Sequence, residues 1–201
     1  MIWFCRKVQI PFDVYAFTQE WNRREYDYTA GEYANKKQQS HYEPKQDLLA
    51  VDGEFNLMNL FTSKVNGKTL EEQMINIWRI SDSFNRYGNC HYRYPPRLSL
   101  SGTPLNESIV CLHEILPKFQ KENNVEKTQC IILTDGEAHQ LYYFDYYTGY
   151  YDKKEQLAPR QCRGMKGYLR NRKTGYTYQI GYQYWDFTDI LLKDLKQSFP
   201  D

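Results

Sequence analysis

Two segments carry residue types whose order could do chemistry. Ser101-Gly102-Thr103-Pro104-Leu105-Asn106-Glu107 reads as a loop opening a helix. Ile131-Ile132-Leu133-Thr134-Asp135-Gly136-Glu137 reads as a buried strand that ends in an acid and a glycine. A threonine hydroxyl and an aspartate carboxylate are hard oxygen ligands suited to Mg2+. In an open α/β sheet, ligands bind outside the carboxyl ends of the strands, near a switch in strand order. Asp135 falls at such an end, and Thr103 falls in a loop that could lie beside it. Each residue also has a plainer reading: threonine before a helical proline is a common cap, and Asp-Gly is a frequent turn pair.

Three further groups carry other chemistries. Asp135, Glu137 and His139 alternate, so on an extended segment they would face one way and could form a hydrolytic metal site; a solvated loop is the plainer alternative. The stretch 163–178 (RGMKGYLRNRKTGYTY) mixes basic and aromatic residues, as in single-stranded nucleic-acid binding. A hairpin with basic tips that protect an edge strand explains the same residues. Tyr142, Tyr143, Tyr146, Tyr147, Tyr150 and Tyr151 suit either an interaction surface or packing beneath the C-terminal segment. No nucleophile–base pair is evident: His41, His91 and His113 are scattered, and His113 lies among apolar helix residues.

The elements that must position these residues follow from pattern. Val8 to Phe17 reads as a buried strand, residues 19–47 as a polar insertion, and Leu48 to Val51 as a short strand. Phe55 to Phe61 reads as a helical turn. Leu70 to Phe84 is helical, with Leu70, Met74, Ile75, Ile77 and Trp78 on one face. Tyr87 to Pro96 is a loop, and Leu98 and Leu100 mark a short strand. Thr103 to Gln120 is the clearest helix, with Leu105, Ile109, Leu112, Leu116 and Phe119 at helical period and Pro117 as a point of kinking or early ending. Gln129 to Leu133 follows as a buried strand, with Cys130 in the core. Strand, helix, strand at this spacing predicts a βαβ unit and a parallel sheet. Tyr168–Arg170 and Tyr176–Ile180 form a hairpin around Gly175, and Phe187 to Phe199 a terminal helix.

The 201 residues suffice for one domain with a core. The aromatic fraction of 16%, with 19 tyrosines, predicts a folded chain with a tyrosine-rich surface. A net charge of +1 gives no general attraction to nucleic acid or anionic membrane. The five cysteines are odd in number and include no CxxC, against a disulfide framework or zinc ribbon. No apolar run approaches the roughly 18 residues of a membrane helix, and the apolar start Met1–Cys5 is too short for a signal-peptide core. A soluble protein in a reducing cytoplasm is expected.

GTPLNE and ILTDGE resemble the second and third motifs of the metal-ion-dependent adhesion site in von Willebrand factor A domains. VQIPFDVYAF resembles that family's second strand, and Ile2 to Lys7 the end of its first helix. The resemblance covers residues 1 to about 146 in broad order and is strongest to cytosolic members of bacteria and phages, similar to the T subunit of cobalt chelatase. It implies a Rossmann-like α/β fold: a mostly parallel sheet flanked by helices, with a C-terminal β-hairpin and helix. It implies one domain over 1–201, with 147–201 as a C-terminal extension. It also implies Mg2+ held by Thr103, directly or through water, and by Asp135 through water, with Gly102 and Gly136 allowing close backbone approach. The implied activity is protein–protein interaction, not catalysis: a partner's carboxylate completes the ion's shell, and the implied partner is an AAA+ ATPase of the MoxR type. The family's first motif, Asp-x-Ser-x-Ser, does not occur; Ser81-Asp82-Ser83 has its residue types in the wrong order and place. Either an N-terminally truncated domain, lacking its first strand and most of its first helix, or a degenerate domain is therefore expected, with truncation favoured because residues 1–18 resemble a domain already under way.

Overall fold

A computed structural model describes residues 1–19, 24–27, 32–35, 43–51, 55–84, 91–92, 102–148, 155–162, 167–181 and 186–200. In chain order these form α1 (Ile2–Lys7), β1 (Asp13–Gln19), β2 (Arg24–Asp27), β3 (Glu32–Asn35), β4 (Leu49–Ala50), β5 (Phe55–Thr62), α2 (Gly67–Ser83), α3 (Leu105–Asn123), β6 (Tyr142–Thr148), β7 (Glu155–Gln161), β8 (Gly167–Arg170), β9 (Thr177–Ile180) and α4 (Asp186–Ser198). The expected strand at Leu98–Leu100, most of the loop 87–96, Ser101, Tyr150, Tyr151, His41, Cys90 and residues 163–166 lie outside the described residues. The chain divides into two compact units: Met1–Glu20 with Asn56–Ser101, and Trp21–Phe55 with Gly102–Asp201.

In the first unit, β1 pairs with β5. The segment expected to form a helical turn at 55–61 is thus a strand. Its apolar spacing suits either state, and the partner strand decides between them. The Ser63 amide donates to the Phe12 carbonyl at 2.8 Å, and the Arg6 guanidinium donates to the Val65 carbonyl at 2.9 Å. Asn66 starts α2 by accepting from the Thr69 amide at 2.9 Å, an N-cap. Leu70 is its buried residue, whereas Ile75 and Trp78, expected on the core face, are exposed. Trp78 meets Tyr92 edge-on at 6.2 Å.

In the second unit, β4, β6 and β7 form an antiparallel sheet in that order, and β2–β3 and β8–β9 are antiparallel pairs. The chain is therefore of mixed α/β class, but every ladder of described register is antiparallel, against the expected mostly parallel sheet. The physical reason lies in residues 125–141, which contain neither helix nor strand. The expected buried strand Gln129–Leu133 has strand composition but no ladder among the described residues, so nothing holds it extended in a sheet. Leu133 is 85% exposed and Ile131 59%, and Cys130 is exposed instead of packed in the core. Among the described residues, α3 is therefore not followed by the strand that a parallel βαβ unit requires.

α3 packs on α4, which also meets β9. Leu105 and Ile109 on α3, Leu141, and Phe187, Ile190, Leu191 and Leu195 on α4 form the core of this unit. α3 runs through Pro117 to Asn123; the proline removes only the bond to the carbonyl of residue 113. The hairpin turns at Gly175 with φ of 80°, a conformation that glycine adopts without strain. Among the described residues, no helix is long and apolar enough to cross a membrane.

Candidate functional site

The two motifs singled out in the sequence meet. Gly102 takes φ of 72° and turns the chain into Thr103. The helix cap then falls on Pro104, and no side chain caps α3. The hydroxyl of Thr103 faces Gly136 so closely that a Cβ there would lie 2.7 Å from Oγ1. Only a residue without a side chain permits this approach. Around Asp135 the chain folds back locally: the Thr134 hydroxyl accepts from the Gly136 amide at 3.2 Å and donates to its carbonyl at 3.1 Å. Asp135 is exposed at the apex of this turn.

His139 closes the arrangement. Its amide donates to the Thr103 carbonyl at 3.1 Å, and its Nε2 accepts from the Thr103 amide at 3.4 Å. Behind it, Asn106 is fully buried. The Asn106 Nδ2 donates to the His139 carbonyl at 2.8 Å, and its Oδ1 accepts from the Thr188 hydroxyl at 2.7 Å. Thr103, Gly136 and His139 are thus brought together. Asp135, Glu137 and His139 are not: among the described residues, no three or more His, Cys, Asp or Glu side chains gather closely enough to hold a metal. A threonine and a single aspartate form a different kind of donor set. Thr103 Oγ1 and the exposed Asp135 carboxylate are both hard oxygens, and Gly136 lets the backbone approach. Oxygens of this type are the donors that Mg2+ takes, one or two from the protein beside several waters.

A second polar cluster was not apparent from sequence. The Asp194 carboxylate, buried on α4, accepts from Asn171 Nδ2 at 2.8 Å and from the Tyr178 hydroxyl at 3.2 Å, and lies 3.3 Å from His113 Nε2. The signal was present: Asp194 falls on the apolar stripe of Phe187, Ile190, Leu191 and Leu195, where a carboxylate requires partners. Burial, then the nearby Asp194 charge, push the Tyr178 phenol above its ordinary pKa, so it remains a donor. Asn171 and Tyr178 therefore turn toward α4, while Tyr168 and Tyr176 of the same hairpin are exposed.

Burial lowers the His113 pKa below its ordinary 6.5 despite the opposing pull of Asp194, and Lys173 lowers it further. Because the folded-state value is depressed, the folded chain resists protonation. The stabilising contribution is present above pH 6.5 and is lost as pH falls through the lower folded-state value. The urea midpoint is expected to fall more steeply below pH 6.5 in the wild type than in His113→Gln. Parallel profiles would show that His113 does not carry the effect.

Burial pushes the Cys162 thiol up to about 12, so it is an inert core residue. Cys5, Cys111, Cys130 and Cys162 are all free thiols. A groove of about 720 Å³ opens between the hairpin and α4; Tyr168, Gln179, Asp186, Asp189 and Lys193 line it, and neither Thr103 nor Asp135 does.

Comparison with family models, curated proteins and solved structures finds no match to the chain.

Proposed function

We propose that Thr103 and the Thr134–Asp135–Gly136 turn form a protein-docking edge of von Willebrand factor A type. Mg2+ would be held there by Thr103 and Asp135 and would accept a carboxylate from a partner protein. One observation carries the reading: the Thr103 hydroxyl does not cap α3 but packs against Gly136, beside Asp135. The reading rests on this edge and not on sheet topology. Asp135 supports it by standing exposed at the tip of a constrained turn, where a carboxylate is accessible to a cation and a partner. The ion would supply a positive centre with exchangeable positions; the chain's own residues hold and orient it. The partner class that this reading points to is an AAA+ ATPase of the MoxR type.

The test is binding of the full chain to a MoxR-type ATPase in Mg2+ and in EDTA, with Asp135→Ala beside the wild type. A loss of at least about tenfold in Mg2+-dependent affinity is expected, the cost of roughly one charge-assisted contact. Equal affinity of mutant and wild type in Mg2+ would sink the proposal. Hydrolysis by Asp135, Glu137 and His139 gains no support from the geometry, since the three do not gather. Nucleic-acid stacking on the hairpin is weakened as a reading because Tyr178 is engaged with Asp194.

A further inference from the structure

The buried amide of Asn106 links two regions that are remote in sequence. It accepts from Thr188 on α4, 82 residues away, and donates to the His139 carbonyl, 33 residues away. Both ends of the amide are satisfied, and the side chain is wholly enclosed. A buried amide with two directional partners has essentially one favourable position, because displacing it leaves polar atoms unpaired. Its neighbours inherit that position. Through the His139 backbone it fixes the loop that carries Asp135 and Gly136, and the His139 amide in turn holds the Thr103 carbonyl.

We propose that Asn106 and Thr188 form a clasp through which α4 positions the 134–139 loop against Thr103. Thr188 and Asn106 are positioning residues: they act on the candidate site through His139. The inference deepens the docking proposal and rests on it for its functional meaning, since the clasp would set the spacing of the two cation-facing oxygens. Coupling of this kind is reciprocal: whatever disturbs the seat of α4 alters the edge, and occupation of the edge steadies α4.

The test is amide hydrogen exchange by NMR on the full chain without added cation. Thr188→Val keeps the shape but removes the hydroxyl; Thr188→Ser keeps the hydroxyl but removes the methyl. In Thr188→Val the His139 amide is expected to exchange about fivefold faster, the effect of losing roughly one net hydrogen bond in the local opening equilibrium. The Leu195 amide is expected to be unchanged, and Thr188→Ser to restore the wild-type rate. An unchanged His139 rate in Thr188→Val overturns the clasp. So does equal acceleration at Leu195, which would report general loosening, or a failure of serine to rescue. Mn2+ titration of the same proteins separates the two proposals: a wild type that binds no Mn2+ defeats the docking reading, while the exchange rates still decide the clasp.

Discussion

Asp194→Ala is expected to destabilise the protein by about 3 kcal/mol, the scale of losing hydrogen bonds to a buried charged acceptor and a large share of the roughly 5–15 kcal/mol that holds a domain folded. The carboxylate is buried and accepts from Asn171 at the hairpin turn and Tyr178 on β9, with His113 Nε2 on α3 at 3.3 Å. Removing it takes away the carboxylate that His113 Nε2 faces and weakens the hold on both hairpin side chains. Both donors have other partners: Tyr178 also contacts Gln197, and Asn171 contacts Ser198 at 3.5 Å. That is why the expected loss is below the sum of the separate hydrogen bonds to the carboxylate. Urea denaturation checks it: the midpoint should fall while the slope is unchanged. Asp194→Asn should fall between, because the isosteric amide keeps one acceptor but presents a donor to donors. A midpoint within error of the wild type for Asp194→Ala would mean that the network is not formed in solution.

Gly136→Ala is expected to cost about 2 kcal/mol, the usual penalty for forcing an atom into occupied space. The new methyl would lie 2.7 Å from Thr103 Oγ1, 3.6 Å from Cγ2 and 3.7 Å from Cβ. The first of these is a collision; the last is ordinary contact. Thr103→Ala removes the colliding hydroxyl and the Cγ2 while keeping Cβ. The double variant Gly136→Ala/Thr103→Ala should therefore be more stable than the sum of the two single losses predicts, by about 1 kcal/mol or more. A double-mutant cycle in urea measures this directly, with no cation or partner present. Strict additivity would show that the two motifs do not touch.

Local elements were legible where one stretch of chain contains its own reasons. α2, α3 and α4 follow from helical periodicity, and the β8–β9 hairpin from two strand-like runs around Gly175. The elements that were misread depend on a distant partner. Phe55 to Phe61 has apolar spacing compatible with a helical turn, and only pairing with β1 makes it a strand. Gln129 to Leu133 has the composition of a buried strand and no ladder among the described residues. The tyrosines of β6 sit in a strand whose partner, β7, is polar and contains Pro159 opposite Phe144, so neither strand alternates visibly. The candidate site divides in the same way. The approach of Thr103 to Gly136 was legible because the order of the two motifs suggests a close backbone approach. Asn106 and Thr188 were not, because a contact spanning 82 residues leaves no mark on either neighbourhood.

The exposed run Ile131–Leu133 has a consequence for the chain in solution. Apolar, uncharged and without a ladder among the described residues, it is a surface through which copies of the chain could adhere. Charges stand on both sides of it: Glu126 and Lys127 before, Asp135 and Glu137 after. Flanking charges of this sort act as gatekeepers, opposing the stacking of like segments. Asp135 therefore has a second duty in colloidal behaviour, separate from any ion it holds. Binding by Asp135→Ala is properly compared with the wild type on the monomeric fraction, where the loss of a ligand and the loss of a gatekeeper are distinct.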